Sequence, residues 1–375
     1  MTELSLETGS TVALRKTSFN LLLAAIQSMG YQPIGPRVEE DVLMYGPIQD
    51  LQDLPRGYTS EQQPGQYRLI NSGHPRYFDI TPGPQSWKQY FFPATTTLFQ
   101  VVRNADEWKI EESEQPDSPI AMIGVRPCEL AAILVQDRVF LREEWNDSIY
   151  RTRRQNAFIM AVNCLHPCGT CFCASMGTGP KATTGFDISL TELEDVFLLE
   201  IGSEAGRMLV AGLPYQPASA FLLQSANKGI DEAVKHMGRQ LPDAQELPEL
   251  LLSNLDHPQW DDVAKRCLSC TNCTQVCPTC FCWDVTDVQE LTDQVVTRKR
   301  SWDSCFNPDY SYITGGNTRP NTRSRYRQWL THKLASWKHQ FDVLGCVGCG
   351  RCITWCPAGI DLTAEVAAIR KEIIS

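Results

Sequence analysis

Cysteines at fixed spacing define the chemistry open to this chain. Near the C-terminus stand Cys267, Cys270, Cys273 and Cys277-Pro278, and seventy-nine residues on stand Cys346, Cys349, Cys352 and Cys356-Pro357. Both runs read C-x2-C-x2-C-x3-C-P. In bacterial two-cluster ferredoxins this spacing wraps three thiolates around one [4Fe-4S] cube and sends the fourth to the other cube. The crossed pattern assigns Cys267, Cys270, Cys273 and Cys356 to one cluster and Cys346, Cys349, Cys352 and Cys277 to a second. Proline after each fourth cysteine supports the crossing, because it keeps the preceding residue extended and steers that thiol out of its own loop. Zinc also uses C-x2-C pairs, but it takes two such pairs and gives no reason for a fourth cysteine followed by proline.

A third group falls between Asn163 and Pro180, where Cys164, Cys168, Cys171 and Cys173 lie within ten residues. With Cys128, these supply enough thiolates for one more [4Fe-4S] cluster, for which the expected ligands are Cys128, Cys164, Cys171 and Cys173. Buried free thiols or a zinc site fit the same spacing. His166 is left out, since a lone loop histidine is more often structural. Thr170-Cys171-Phe172-Cys173 recurs as Thr279-Cys280-Phe281-Cys282. With the first two clusters complete, Cys280, Cys282 and Cys305 are expected to serve packing. No Rossmann, P-loop, haem-attachment or zinc-hydrolase fingerprint is present, so nicotinamide or flavin chemistry is expected on another chain, and no catalytic residue is assigned. A flavin-dependent reductase in its own right is the competing reading.

These cysteines need a scaffold, and 375 residues with 42% hydrophobic content suffice for two domains. The expected class is α+β: an α/β domain over 1–240, then a mainly helical dicluster domain over 241–375. In the first, an amphipathic helix is expected near Ser18–Met29 and strands at Ile120–Val125 and Phe158–Val162, each strand ending at a cysteine-bearing loop where α/β sheets place their chemistry. In the second, Trp260, Val263 and Cys267 recur at helical spacing, as do Tyr326, Leu330, Lys333 and Trp337, and Leu362, Val366, Ile369 and Ile373. Sixty-eight residues separate the two runs, a large insertion for a ferredoxin domain.

The net charge is −10, yet the segment from Arg298 to His339 holds nine Lys or Arg against Asp303 and Asp309. Such an island is either a solvated face or positive charge set near anionic clusters or a partner. No nucleic-acid motif accompanies it, which argues against nucleic acid as a partner. Sixteen grouped cysteines suit metal in a reducing compartment, and with neither a secretory signal nor a membrane span expected, the cytoplasm is the expected location.

Several stretches together resemble a known family. They are Gly124-Val125-Arg126-Pro127-Cys128-Glu129-Leu130, Thr170-Cys171-Phe172-Cys173 through Ser175-Met176-Gly177-Thr178-Gly179-Pro180, the paired cysteine runs including Cys349-Gly350-Arg351-Cys352, and Arg325-Tyr326-Arg327 with His332-Lys333. The chain resembles the iron–sulfur β subunit of soluble NAD(P)-linked [NiFe] hydrogenases, the sulfhydrogenases, and is similar to the electron-transfer subunit of anaerobic sulfite reductase. The resemblance implies an electron-transfer subunit between a flavin/NAD(P)H-linked partner and a catalytic subunit, hydrogenase first and sirohaem sulfite reductase as the alternative. It also implies no catalysis by this chain alone. In the family pattern the position of Cys168 need not be cysteine, which excludes it from the third ligand set.

Overall fold

The structure, a computed structural model, describes residues 6–81, 83–104, 107–112, 118–289 and 294–374. In chain order the strands are β1 (Thr11–Arg15), β2 (Gln32–Glu39), β3 (Val42–Pro47), β4 (Tyr58–Gln63), β5 (Gln66–Asn71), β6 (Thr95–Asn104) and β7 (Glu107–Glu112). They continue with β8 (Ile120–Val125), β9 (Ala157–Val162), β10 (Ile188–Glu192), β11 (Val196–Ile201), β12 (Gln216–Pro217), β13 (Trp283–Gln289), β14 (Val295–Trp302), β15 (Tyr312–Ile313) and β16 (Gly316–Asn317). Eight of them form the main sheet in the order β12-β1-β11-β10-β9-β8-β2-β3. Its centre is parallel: β8 pairs with β2 and β9, and β9 with β10. Parallel strands covered on both faces read as unbroken apolar runs, as Ile120–Val125 and Ala157–Val162 do.

The expected first helix is present as Phe19–Ser28, and it buries Phe19, Leu22, Leu23 and Ile26 against Phe158, Met160 and Phe197 on one face of the sheet. The helix Pro127–Phe140 covers the other face, with Leu130, Ile133 and Phe140 packed on Met122 and Ile159. Proline at its first turn costs no hydrogen bond and presets the backbone, so β8 turns directly into this helix at Cys128. Since β8 and β9 are parallel neighbours, their C-terminal ends place Cys128 and Cys164 at one edge of the sheet. Arg126, 5% exposed, joins these ends by donating to the carbonyls of Phe78, Ile80 and Asn163.

Beyond residue 241 the helices Gln259–Arg266, Thr322–Thr331 and Leu362–Ile374 enclose a core of Trp260, Val263, Leu330, Leu334, Val366 and Ile369. The insertion between the runs departs from its helical reading at two places, of which the smaller is the short hairpin Tyr312–Ile313 with Gly316–Asn317. The insertion opens as the hairpin β13–β14, which joins β6 and β7 in a separate sheet of order β13-β14-β6-β7. The register of β14 on β6 shifts between Arg298 and Lys299, which breaks the two-residue alternation of the strand. Arg298 therefore stays at the surface with Asp287, whereas Arg300, two residues on, is buried with Asp147.

Candidate iron–sulfur centres

The two ferredoxin-type runs wrap in the same backbone geometry. Ser269 and Thr271 of the first run have φ of 50° and 69°, and at the equivalent places of the second Gly348 and Gly350 have φ of 65° and 75°. Left-handed conformation is unfavourable for non-glycine residues, so the first loop holds strain that the second avoids. In the second loop glycine is required for a further reason. A Cβ at Gly348 would lie 2.6 Å from the backbone of Cys173, and one at Gly350 would lie 2.5 Å from the carbonyl of Thr170.

Cys267, Cys270, Cys273, Cys352 and Cys356 line one pocket, walled by Phe306, Tyr326 and Trp329. Cys277, Cys346, Cys349 and Cys352 line a second. Each pocket gathers all four thiols of one crossed set, and Cys352 lines both. Backbone N–H groups point at the sulfurs, from Ser269 to Cys267 at 3.5 Å, Ile360 to Cys356 at 3.4 Å and Thr279 to Cys277 at 3.4 Å. Such donors stabilise thiolates and tune a cluster's potential. Burial pushes Cys346 up to about 12 and Cys273 and Cys352 well above the usual thiol range. Thiols this resistant to ionisation become thiolates when a cation replaces the proton. Among the described residues no three His, Cys, Asp or Glu side chains gather closely enough for a single ion. Thiol sets arranged around pockets fit a multi-iron cube better than zinc.

Of the basic island, one residue reaches a cluster site. Lys333, 3% exposed, lies in the π-helical turn His332–Ser336 and points its ammonium at Cys277 Sγ at 3.1 Å, Thr279 Oγ1 at 3.1 Å and the Gly345 carbonyl at 3.3 Å. Helical turns of this widened kind recur at functional sites. Burial alone would lower its pKa, but the sulfurs of Cys277, Cys280 and Cys346 raise it well above the usual value, so Lys333 stays charged. Burial pushes Cys277 up, yet the Cys280 thiol and Lys333 outweigh it and hold Cys277 well below the usual range. Lys333→Met is expected to lower the midpoint potential of the cluster at Cys277 by on the order of 100 mV, the effect of one charge at roughly 7 Å and an effective dielectric of about 20. An EPR-monitored redox titration measures it. Elsewhere the island pairs with acids: Arg298 with Asp287, Arg300 with Asp147, Arg323 with Asp261 and Arg327 with Asp256.

The third thiol group assembles around the sheet edge. Cys128, Cys168, Cys171 and Cys173 are buried, and Cys164 is half-buried with its Sγ 3.4 Å from the His166 carbonyl. Cys168 and Cys171 touch, Sγ to Sγ at 2.7 Å. Met237 closes the group, its Sδ 3.8 Å from Cys173 Sγ and 3.3 Å from the Ala174 N–H. The group adjoins the second run: Cys171 Sγ is 4.0 Å from the Cys349 carbonyl, and the Phe172 N–H donates to the Gly348 carbonyl at 2.9 Å. His166 is engaged elsewhere, with Nδ1 2.8 Å from Asp79.

Two features were missed from the sequence. The first is a buried ion pair, Arg351 to Glu129 at 2.7 Å, with both side chains 1% exposed. Arg351 also donates to the carbonyls of Gly83 and Gln85, and the Tyr45 hydroxyl donates to Glu129 at 2.8 Å. This pair joins the helix turn after Cys128 to the second cysteine loop. The second is the full extent of the Thr-Cys-Phe-Cys echo. Asn163–Cys173 and Asn272–Cys282 both read Asn-Cys-x3-Cys-x-Thr-Cys-Phe-Cys, so Cys164, Cys168, Cys171 and Cys173 correspond to Cys273, Cys277, Cys280 and Cys282. Both copies lie against the second run, Thr279 Oγ1 donating to the Gly345 carbonyl and Thr170 contacting Thr354. The seven shared positions were the available signal.

Residues 266–360 match the family model described as a 4Fe-4S dicluster domain. The chain is 31% identical over 332 residues to sulfhydrogenase 2 subunit beta of Pyrococcus furiosus, an alignment covering 86% of this chain and 95% of that protein. No solved structure matches it. No helix among the described residues is long and apolar enough to cross a membrane. The residues of the cysteine runs and the length of the alignment agree: the chain belongs to the sulfhydrogenase β-subunit family.

Proposed function

We propose that this chain is the electron-transfer subunit of a hydrogenase complex, relaying electrons between a flavin/NAD(P)H-linked partner and a [NiFe] hydrogenase catalytic subunit in the cytoplasm. A bound [4Fe-4S] cluster supplies reversible one-electron transfer. The supporting observation is the contiguity of three thiol groups. Cys128, Cys164, Cys171 and Cys173 would hold a third cluster; their group adjoins Cys349 of the second set, and Cys277 of that set lies four residues from Cys273 of the first. Cys270 is exposed and the neighbouring Leu268 is 68% exposed, so the first set ends the series at the surface, where a partner can approach. The protein's own part is to position thiolates, exclude water with the aromatic wall of Phe306, Tyr326 and Trp329, and set potential through Lys333 and backbone N–H groups.

The 1–240 and 241–375 segments serve as two functional units, tied by the Arg351–Glu129 pair and by the sheet of β6, β7, β13 and β14. The family pattern leaves Cys168 out of the third set, although its Sγ touches that of Cys171 at 2.7 Å. Cys168→Ala is expected to retain iron content and every EPR signal; loss of a cluster would reassign the ligands.

Affinity purification of the native complex tests the assignment of partners. A nickel-containing large subunit is expected, together with a flavin protein. A sirohaem protein in their place would favour the sulfite reductase reading, and flavin bound by the isolated chain would favour the stand-alone reductase.

A further inference from the structure

Cys280, Cys282 and Cys305 belong to neither ferredoxin-type set, yet they converge. Cys282 hydrogen-bonds to Cys305, Cys280 contacts Cys277, and all three line a cavity of about 190 Å³. That is roughly ten times the space a single water requires. His332, Tyr310 and Lys333 line it as well.

The internal repeat shows what the trio corresponds to. Cys280 and Cys282 are the counterparts of Cys171 and Cys173. Cys305 hydrogen-bonds to Cys282, and Cys173 is the foremost thiol neighbour of Cys128, so each copy has a distant cysteine drawn to its last one. The counterpart of Cys164 is Cys273, already placed in the first ferredoxin-type set. The second copy thus reproduces the third thiol group with one thiolate fewer.

Charge and hydrogen-bond inventory around the cavity point to an anion with many acceptors. Lys88, 3% exposed, has its Nζ 3.2 Å from the Cys280 carbonyl and 3.6 Å from the centre of the Trp302 ring. Lys333 and Arg319 line the cavity itself. Lys333 already has the Cys277 sulfur as its counter-charge, whereas Lys88 contacts only a carbonyl and an indole ring, and a buried ammonium without a counter-charge is costly. The indole N–H groups of Trp329 and Trp337 are buried without a protein acceptor, and both side chains line the cavity. Unused buried donors call for a partner.

We infer that Cys280, Cys282 and Cys305 hold a further iron–sulfur centre, ligated by three thiolates, whose remaining coordination position faces His332 and Tyr310. Its sulfides would accept from Trp329 and Trp337, and Lys88 and Lys333 would balance its charge. The inference is independent of which partner the relay serves and of the third cluster.

The test uses the full chain purified without oxygen. Cys282→Ser/Cys305→Ser should lose about three to four irons per chain with matching sulfide, the stoichiometry of one such centre, while the EPR signals of the two ferredoxin-type clusters persist. Unchanged iron with unchanged spectra overturns the inference. Should the double variant not fold, native mass spectrometry of the Cys128→Ser/Cys171→Ser holoprotein, in which the third thiol group is disabled, decides: iron and sulfide beyond two cubes support the extra centre, and two cubes or fewer overturn it. Under the same conditions His332→Ala should alter the EPR line shape of this centre alone, a readout that packing by itself would leave unmoved.

Discussion

Arg351→Ala should lower the stability of the protein by about 3–5 kcal/mol, the usual cost of removing one partner from a buried ion pair. Glu129 is 1% exposed and would keep only the Tyr45 hydroxyl and the Trp87 N–H at 3.4 Å. Burial works against the charge on Arg351, but Glu129 and then Cys349 outweigh it and raise its pKa, so Arg351 stays charged. The double change Arg351→Met/Glu129→Leu should recover most of the loss, since apolar replacement of both partners removes the stranded charge. Anaerobic unfolding midpoints of the three proteins measure this. A single variant within 1 kcal/mol of wild type, on the order of an exposed pair, would show that the contact is solvated.

Cys356→Ala should remove the cluster of the other run. Its thiol lies in the pocket of Cys267, Cys270 and Cys273, so about four irons should be lost from that set, while the set containing its own neighbours Cys346, Cys349 and Cys352 survives. The two clusters can be told apart because only one lies against Lys333. In the Cys356→Ala background the surviving signal should still shift when Lys333→Met is added. A surviving signal indifferent to Lys333 would reverse the crossed assignment.

Local and repetitive features were legible in the sequence. Apolar runs gave β8 and β9, helical spacing gave the helices at Trp260 and Tyr326, and the paired C-x2-C-x2-C-x3-C-P runs pointed to the cysteines that line two neighbouring pockets. Long-range features were not. Glu129 and Arg351 are 222 residues apart, and nothing in either neighbourhood names the other. The hairpin β13–β14 was hidden because Arg298-Lys299-Arg300 reads as solvated charge until β6, some two hundred residues earlier, supplies the edge it pairs with. The repeat was seen only as four residues because its copies distribute their cysteines differently: Cys273 and Cys277 go to the ferredoxin-type sets, whereas Cys164 remains with its local group.

The central claim is that the α/β half carries a cluster and so takes part in the relay. Iron and acid-labile sulfide per chain, with EPR of the reduced form, should be compared between wild type and Cys128→Ser/Cys171→Ser, both purified without oxygen. The expected result is a loss of about four irons with the signals of both ferredoxin-type clusters intact, as removal of one cube requires. Equal iron in the two proteins would confine the relay to the residues beyond 241 and leave the thiols at the sheet edge as packing.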